Sequence, residues 1–174
     1  IYSWSPEPTI NQDDYRVGNN SLLFESDGST EKEYISIIED LDISGYSNFD
    51  TLSFSYKAND ANLSSVKVRF YSSDVDYYEF NFADHEIGWN VIDLSFASMS
   101  SNGSPAKNKI SKIGIVVVPL SSETSILVDG LRVNDEDTFD ANYGLISRAL
   151  IDSPYLTKVN GRRVDIEYKL SLGF

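Results

Sequence analysis

An all-β sandwich is the fold class that this 174-residue sequence predicts, on three observations. Apolar and polar residues alternate at period two in run after run, the pattern of half-buried strands. No stretch carries the 3.6-residue apolar period of a long amphipathic helix. Clusters of turn-forming residues separate the runs. Short strands without intervening helices bury one face each by packing two sheets together.

Each element follows from its alternation. Leu52, Phe54 and Tyr56 share one face of Thr51–Lys57, with Ser53 and Ser55 on the other. Val66, Val68 and Phe70 alternate with Lys67, Arg69 and Tyr71, and Tyr78, Phe80 and Phe82 with Tyr77, Glu79 and Asn81. Ile92, Leu94 and Phe96 follow Trp89, with Asp93 and Ser95 between them. Ile113, Ile115 and Val117 lie in a run apolar on both faces, as a central strand requires, and Ile126–Val133 is a further strand. Asn59-Asp60, Ser72-Ser73-Asp74, the Ser100–Gly103 stretch and Ser121-Ser122 supply the turns.

Composition narrows the function. A net charge of -13 opposes nucleic acid and anionic membrane surfaces, whose affinity rests on clustered Lys and Arg. The longest apolar run, Ile113–Leu120, is too short to span a bilayer. With no cysteine there is no thiol nucleophile or thiolate metal site. The one histidine, His85, reads as a solvated loop residue rather than a catalytic base. Acidic pairs such as Glu39-Asp40 and Asp74/Asp76 fall at turns and strand ends, and no phosphate loop, nucleophile elbow or zinc pattern is present. The chain therefore reads as non-catalytic.

The order of several motifs resembles that of jelly-roll carbohydrate-binding modules of the galactose-binding-like type. They are Gly18-Asn-Asn-Ser-Leu-Leu-Phe24, Leu41-Asp-Ile-Ser-Gly-Tyr46 followed by Leu52-Ser-Phe-Ser-Tyr56, Gly88-Trp89 followed by Ile92–Phe96, Ile110–Ile115, and Val128-Asp129-Gly130-Leu131-Arg132-Val133. The resemblance covers roughly residues 1–135 and implies a jelly-roll β-sandwich that binds glycans. It places Trp89 in the core. It also raises a structural calcium, with Asp129 as a donor and Glu7 or Glu25 as candidates for a second; where the family has a further Asp, this chain has Gly130. No other cofactor is expected.

A sugar-binding face needs aromatic rings directed away from the core, with polar groups for the hydroxyls. Tyr71 and Tyr77 meet that condition by alternation, with Arg69, Glu79 and Asn81 as polar neighbours.

The C-terminal segment differs from the body. Residues 1–139 hold 9 basic and 23 acidic side chains, net -14, whereas residues 140–174 hold 5 and 4, net +1. Val164, Ile166, Tyr168, Leu170 and Leu172 share one face, and Asn160-Gly161 is a two-residue hairpin turn that returns Leu156–Val159 against Arg162 onward. Leu145-Ile146-Ser147-Arg148, Pro154, Lys158 and Val164–Tyr168 resemble the C-terminal segments of phage virion proteins. The expected division is thus a sandwich over 1–137 and a C-terminal β arm over 138–174. The arm either completes its own sandwich or docks on identical subunits or other virion proteins. The expected role is a virion surface component (decoration, fibre or tail protein) facing host glycans. The alternatives are a binding module of a secreted bacterial polysaccharide-degrading enzyme and a purely structural virion protein.

Overall fold

The computed structural model describes residues 4–16, 20–28, 30–46 and 51–133, with the backbone of 158–159 and 162–163. It is a jelly-roll β-sandwich of two antiparallel sheets. The strands are β1 (Trp4–Ser5), β2 (Thr9–Asn11), β3 (Ser21–Ser26), β4 (Lys32–Leu41), β5 (Thr51–Ala58), β6 (Leu63–Tyr71), β7 (Tyr77–Phe82), β8 (Gly88–Ser95), β9 (Ser100–Asn102), β10 (Ile110–Pro119) and β11 (Thr124–Val133). One sheet runs β1-β4-β10-β6-β7-β9 and the other β2-β3-β11-β5-β8. A 3-10 turn, Phe96–Ser98, is capped by the Ser95 side chain.

Period-two patterning decides which residues face inward. Val66, Val68, Phe70, Phe80, Ile113, Ile115 and Val117 of one sheet meet Phe24, Leu52, Phe54, Tyr56, Ile126 and Val128 of the other in one continuous core. Several of its rings meet edge-on, as Phe54 does Phe82 at 4.9 Å and Phe24 does Tyr34 at the same distance, while Phe54 stacks on Tyr56 at 5.5 Å. Trp4, at the start of the described chain, joins this core by packing edge-on against Phe24 at 5.4 Å. His85 lies in a loop, as expected, half-buried with its ring edge-on to Tyr56 at 6.1 Å. Gly28 has φ +86, and a Cβ there would stand 2.2 Å from the Ser122 backbone, so only glycine fits this turn.

In the arm, β12 (Lys158–Val159) pairs antiparallel with β13 (Arg162–Arg163), Val159 opposite Arg162. That register is the one a two-residue Asn160-Gly161 connection requires. The remainder of the arm and the boundary expected near residue 137 lie outside the described residues.

Candidate functional site

The outer surface of the six-stranded sheet gathers the side chains that alternation had set there. Strand pairing lines them up in rows. Ile35, Gly114, Arg69, Glu79 and Ser100 form the middle row. Ile37, Lys112, Tyr71, Tyr77 and Asn102 form the row on one side. Glu33, Val116, Lys67 and Asn81 form the row on the other.

Arg69 is the hub. Its Nε donates to Glu79 at 2.7 Å, its Nη1 to Glu33 at 3.0 Å and its Nη2 to Glu31 at 3.1 Å. The guanidinium carbon stands 4.8 Å from the centre of the Tyr77 ring, a cation–π contact. Only 7% of Arg69 is exposed, although it points away from the core. Burial alone would lower its pKa. The bond to Glu79, the charge of Glu33 and the bond to Glu31 outweigh that and hold it cationic.

Tyr71 packs on Tyr77 with ring centres 5.0 Å apart and planes tilted by 53°. Its hydroxyl donates to Glu33 Oε1 at 2.6 Å. Burial, then the bond to Glu33 and its charge, push the Tyr71 hydroxyl well above the ordinary tyrosine range. Lys67 donates to Glu31 at 2.8 Å, and chiefly through that bond, helped by Arg69, the Glu31 carboxyl stays below its ordinary value. Gly114 makes the arrangement fit. A Cβ at that position would lie 2.3 Å from Glu33 Oε1 and 3.2 Å from the Tyr71 ring. The bare backbone of β10 is the gap across which Glu33 reaches β6.

Four of the five side chains expected from the sequence therefore meet: Arg69, Tyr71, Tyr77 and Glu79. Asn81 shares their face one row away, exposed and opposite Lys67. Tyr71 is a correction in one respect. It points outward as expected, but it is 5% exposed, because Glu33 and Tyr77 cover it. Tyr77, half-buried, is the ring left at the surface. Glu31, Glu33 and Gly114 were missed by sequence reasoning. Glu33 and Glu31 stand 36 and 38 residues from Arg69 in the chain, and only the β4-β10-β6 order brings them in with Gly114.

Trp89 is the second correction. It lies on the outer face of the five-stranded sheet, in a row with Leu127 and Lys57, and not in the core. Its parity was readable, since it is three residues from inward-facing Ile92. Its Nε1 donates to Asp14 at 3.0 Å, and Lys57 pairs with the other oxygen of the same carboxylate. The Arg16 amide donates to Asp129 Oδ2 at 2.8 Å. Residues 11–16 thus form a strap across the sheet, tied to β11, β5 and β8 in turn. Asp129 is fully buried beneath it. Calcium takes six to eight oxygen ligands. No group of three or more His, Cys, Asp or Glu placed to hold a metal occurs among the described residues.

A separate cleft of about 420 Å³ opens beside the start of β11, lined by Glu25, Asp27, Asp60 and Glu123 with Lys32.

No family model matches the chain, and comparison with curated proteins finds no match. Solved structures do share its fold. PfGH50B matches with 13% identity over 76% of this chain and 22% of its own, TM-score 0.53. The agarase AgWH50C matches with 14% identity over 76% and 22%, TM-score 0.51. A carbohydrate-binding module specific for non-crystalline cellulose, CBM28, aligns over 76% of this chain and 86% of its own with 12% identity, TM-score 0.48. The chain spans about a fifth of the length of the first two, and at these identities the likeness is one of fold.

Proposed function

We propose that this chain is a non-catalytic glycan-binding module whose ligand face is the outer surface of the six-stranded sheet around Arg69. The observation that supports this most is the buried, charged network on the solvent side of that sheet. Desolvating an arginine and its carboxylates costs more than an apolar patch of the same shape, so the arrangement is poor as a device for stability alone. It is well suited to recognition, because polar groups fixed before the ligand arrives lower the ordering cost of binding. Tyr77, half-buried, offers the aromatic ring at this surface. Asn81, Asn102 and Ser100, all exposed around it, supply donors and acceptors for sugar hydroxyls.

Glycosidic bond cleavage by a carboxyl pair needs one acid whose pKa is raised so that it holds a proton. Glu31, held ionised chiefly by its bond to Lys67, is not such an acid.

Two settings fit such a module. The phage-like residues of the C-terminal segment favour a virion surface component, held through residues 140–174 and turned toward host glycans. The second reading is a module within a secreted polysaccharide-degrading enzyme. It is favoured by the agarase AgWH50C, in which the matched fold makes up 22% of the chain.

The test is a neutral and acidic polysaccharide screen on the full chain, repeated with Tyr77→Ala and with Glu79→Gln. Binding that falls at least tenfold in both variants supports the face. Binding that survives both moves the ligand elsewhere on the sandwich. No binding to any polysaccharide overturns the reading and leaves a structural protein.

A further inference from the structure

The four terminal strands of the two sheets are not alike. β1 has two residues, and β2 and β9 have three each, whereas β8 has eight. Native proteins protect sheet edges by shortness, by Lys or Pro, or by a bulge. β8 reads Gly-Trp-Asn-Val-Ile-Asp-Leu-Ser, without Lys or Pro, and pairs with β5 in unbroken register along its whole length. One guard exists at its start, where the Asn90 amide donates to the carbonyls of Glu86 and Gly88. Past that point no further strand pairs with β8 among the described residues. The apolar side chains along this edge are uncovered too, Ile87 at 66% and Val91 at 53% exposure on either side of half-buried Trp89.

The chain carries a segment with the matching properties. Residues 164–172 alternate Val, Ile, Tyr, Leu and Leu with Asp, Glu, Lys and Ser, nine residues against the eight of β8. The segment continues directly from β13. A two-stranded hairpin is at best marginal in water, so the apolar row of this segment needs a further surface to cover it.

We propose that the β8 edge is the docking site for residues 164–172 of this chain's own C-terminal arm. The segment would add as a sixth strand through main-chain hydrogen bonds, with its apolar row beside Ile87, Trp89 and Val91. This stands apart from glycan binding, which concerns the other sheet.

The absence of cysteine makes the test clean. In the full chain, Val91→Cys is combined in turn with Val164→Cys, Ile166→Cys, Tyr168→Cys and Leu170→Cys, then treated with a short bis-thiol reagent. Ser55→Cys with Val91→Cys, neighbours across β5 and β8, is the positive control. The expected result is efficient bridging at one or two of the four registers, and at least fivefold less with Glu167→Cys from the opposite face. Denaturing gels then show whether the bridge joins one chain or two: a bridge within one chain supports the proposal, and a bridge between two chains gives the edge to another copy's arm and overturns it. Bridging at none of the registers while the control is bridged overturns the proposal. So does equal bridging at all five positions.

Discussion

The Arg69 guanidinium stands 4.8 Å from the centre of the Tyr77 ring while its Nε donates to Glu79, two residues further along the same strand as that tyrosine. Tyr77 and Glu79 share a face of β7 because strand side chains repeat every two residues. One side chain from β6 therefore engages both a π face and a carboxylate. The planar fork of arginine permits this where the point charge of lysine does not.

Replacing that hub should be costly and pH-sensitive. Arg69→Met leaves Glu31, Glu33 and Glu79 close together without their shared cation. At neutral pH the loss should be about 3 kcal/mol, the range for breaking a buried ion pair from one side. The pH dependence should also reverse. In the parent chain Glu31 has a folded pKa below its ordinary 4.5, so its contribution is present above that value and lost as pH falls through the folded pKa. In the variant, protonation relieves repulsion, and acidification from pH 6 toward 4 should narrow the gap between the two proteins. Urea midpoints across that range check it; a gap that widens on acidification contradicts the account.

Gly114→Ala tests the gap in β10. The added methyl meets the far end of Glu33, which can swing away, so the backbone need not move. Swinging away removes the bonds to Arg69 and Tyr71 and strands a buried tyrosine hydroxyl. A loss of about 1–3 kcal/mol is expected, the cost of an unsatisfied buried polar group. With Glu33→Ala already in place, the same substitution should cost less than half as much, because the side chain it displaces is gone. Full additivity in the double mutant would break the link between the glycine and the network.

Much of this architecture was legible in the sequence, and the limits have a physical cause. The alternation in Val66–Tyr71 and Tyr77–Phe82 fixed which side chains lie on the outer face, and the Asn160-Gly161 signal fixed the register of Val159 opposite Arg162. Exposure was not legible. Arg69 and Tyr71 are covered by Glu31 and Glu33, which join them only through β10, a strand some 40 residues away in the chain. Trp89 was assigned to the core on its resemblance to a motif, against its own parity with Ile92. Its partner Asp14 lies 75 residues away, and no local pattern announces a strap.

The strap gives a third expectation. Trp89→Phe keeps an aromatic ring on β8 but removes the donor to Asp14, while Lys57 still holds the other oxygen. Global stability should fall by about 1 kcal/mol, as for a single hydrogen bond to a charged group at a partly exposed site. Amide exchange at residues 13–16 should quicken by a larger factor than exchange in β5 or β11. Uniform quickening throughout the sandwich would mean that Trp89 supports the whole sheet rather than the strap.

Tyr56 supplies the last test, because its ring is fully buried and its hydroxyl has no hydrogen-bond partner among the described residues. Burial first, and then the nearby charge of Asp84, push its pKa from 10.0 up to about 12. A raised folded pKa means that the stabilisation is complete below the unfolded value near 10 and is lost as pH rises through the folded value. The parent chain should therefore weaken between pH 10 and 12. Tyr56→Phe deletes a group that is desolvated without compensation, so stability at pH 7 should stay level or rise by about 1 kcal/mol. The same variant should lose less than the parent above pH 10. Part of the alkaline loss should persist, since Tyr71 is also raised and keeps its bond to Glu33. Thermal unfolding of both proteins at pH 7 and at pH 10.5 to 11.5 is the measurement. A variant less stable than the parent at pH 7 would show that the Tyr56 hydroxyl has a partner, such as a buried water shared with the unpartnered His85 Nδ1.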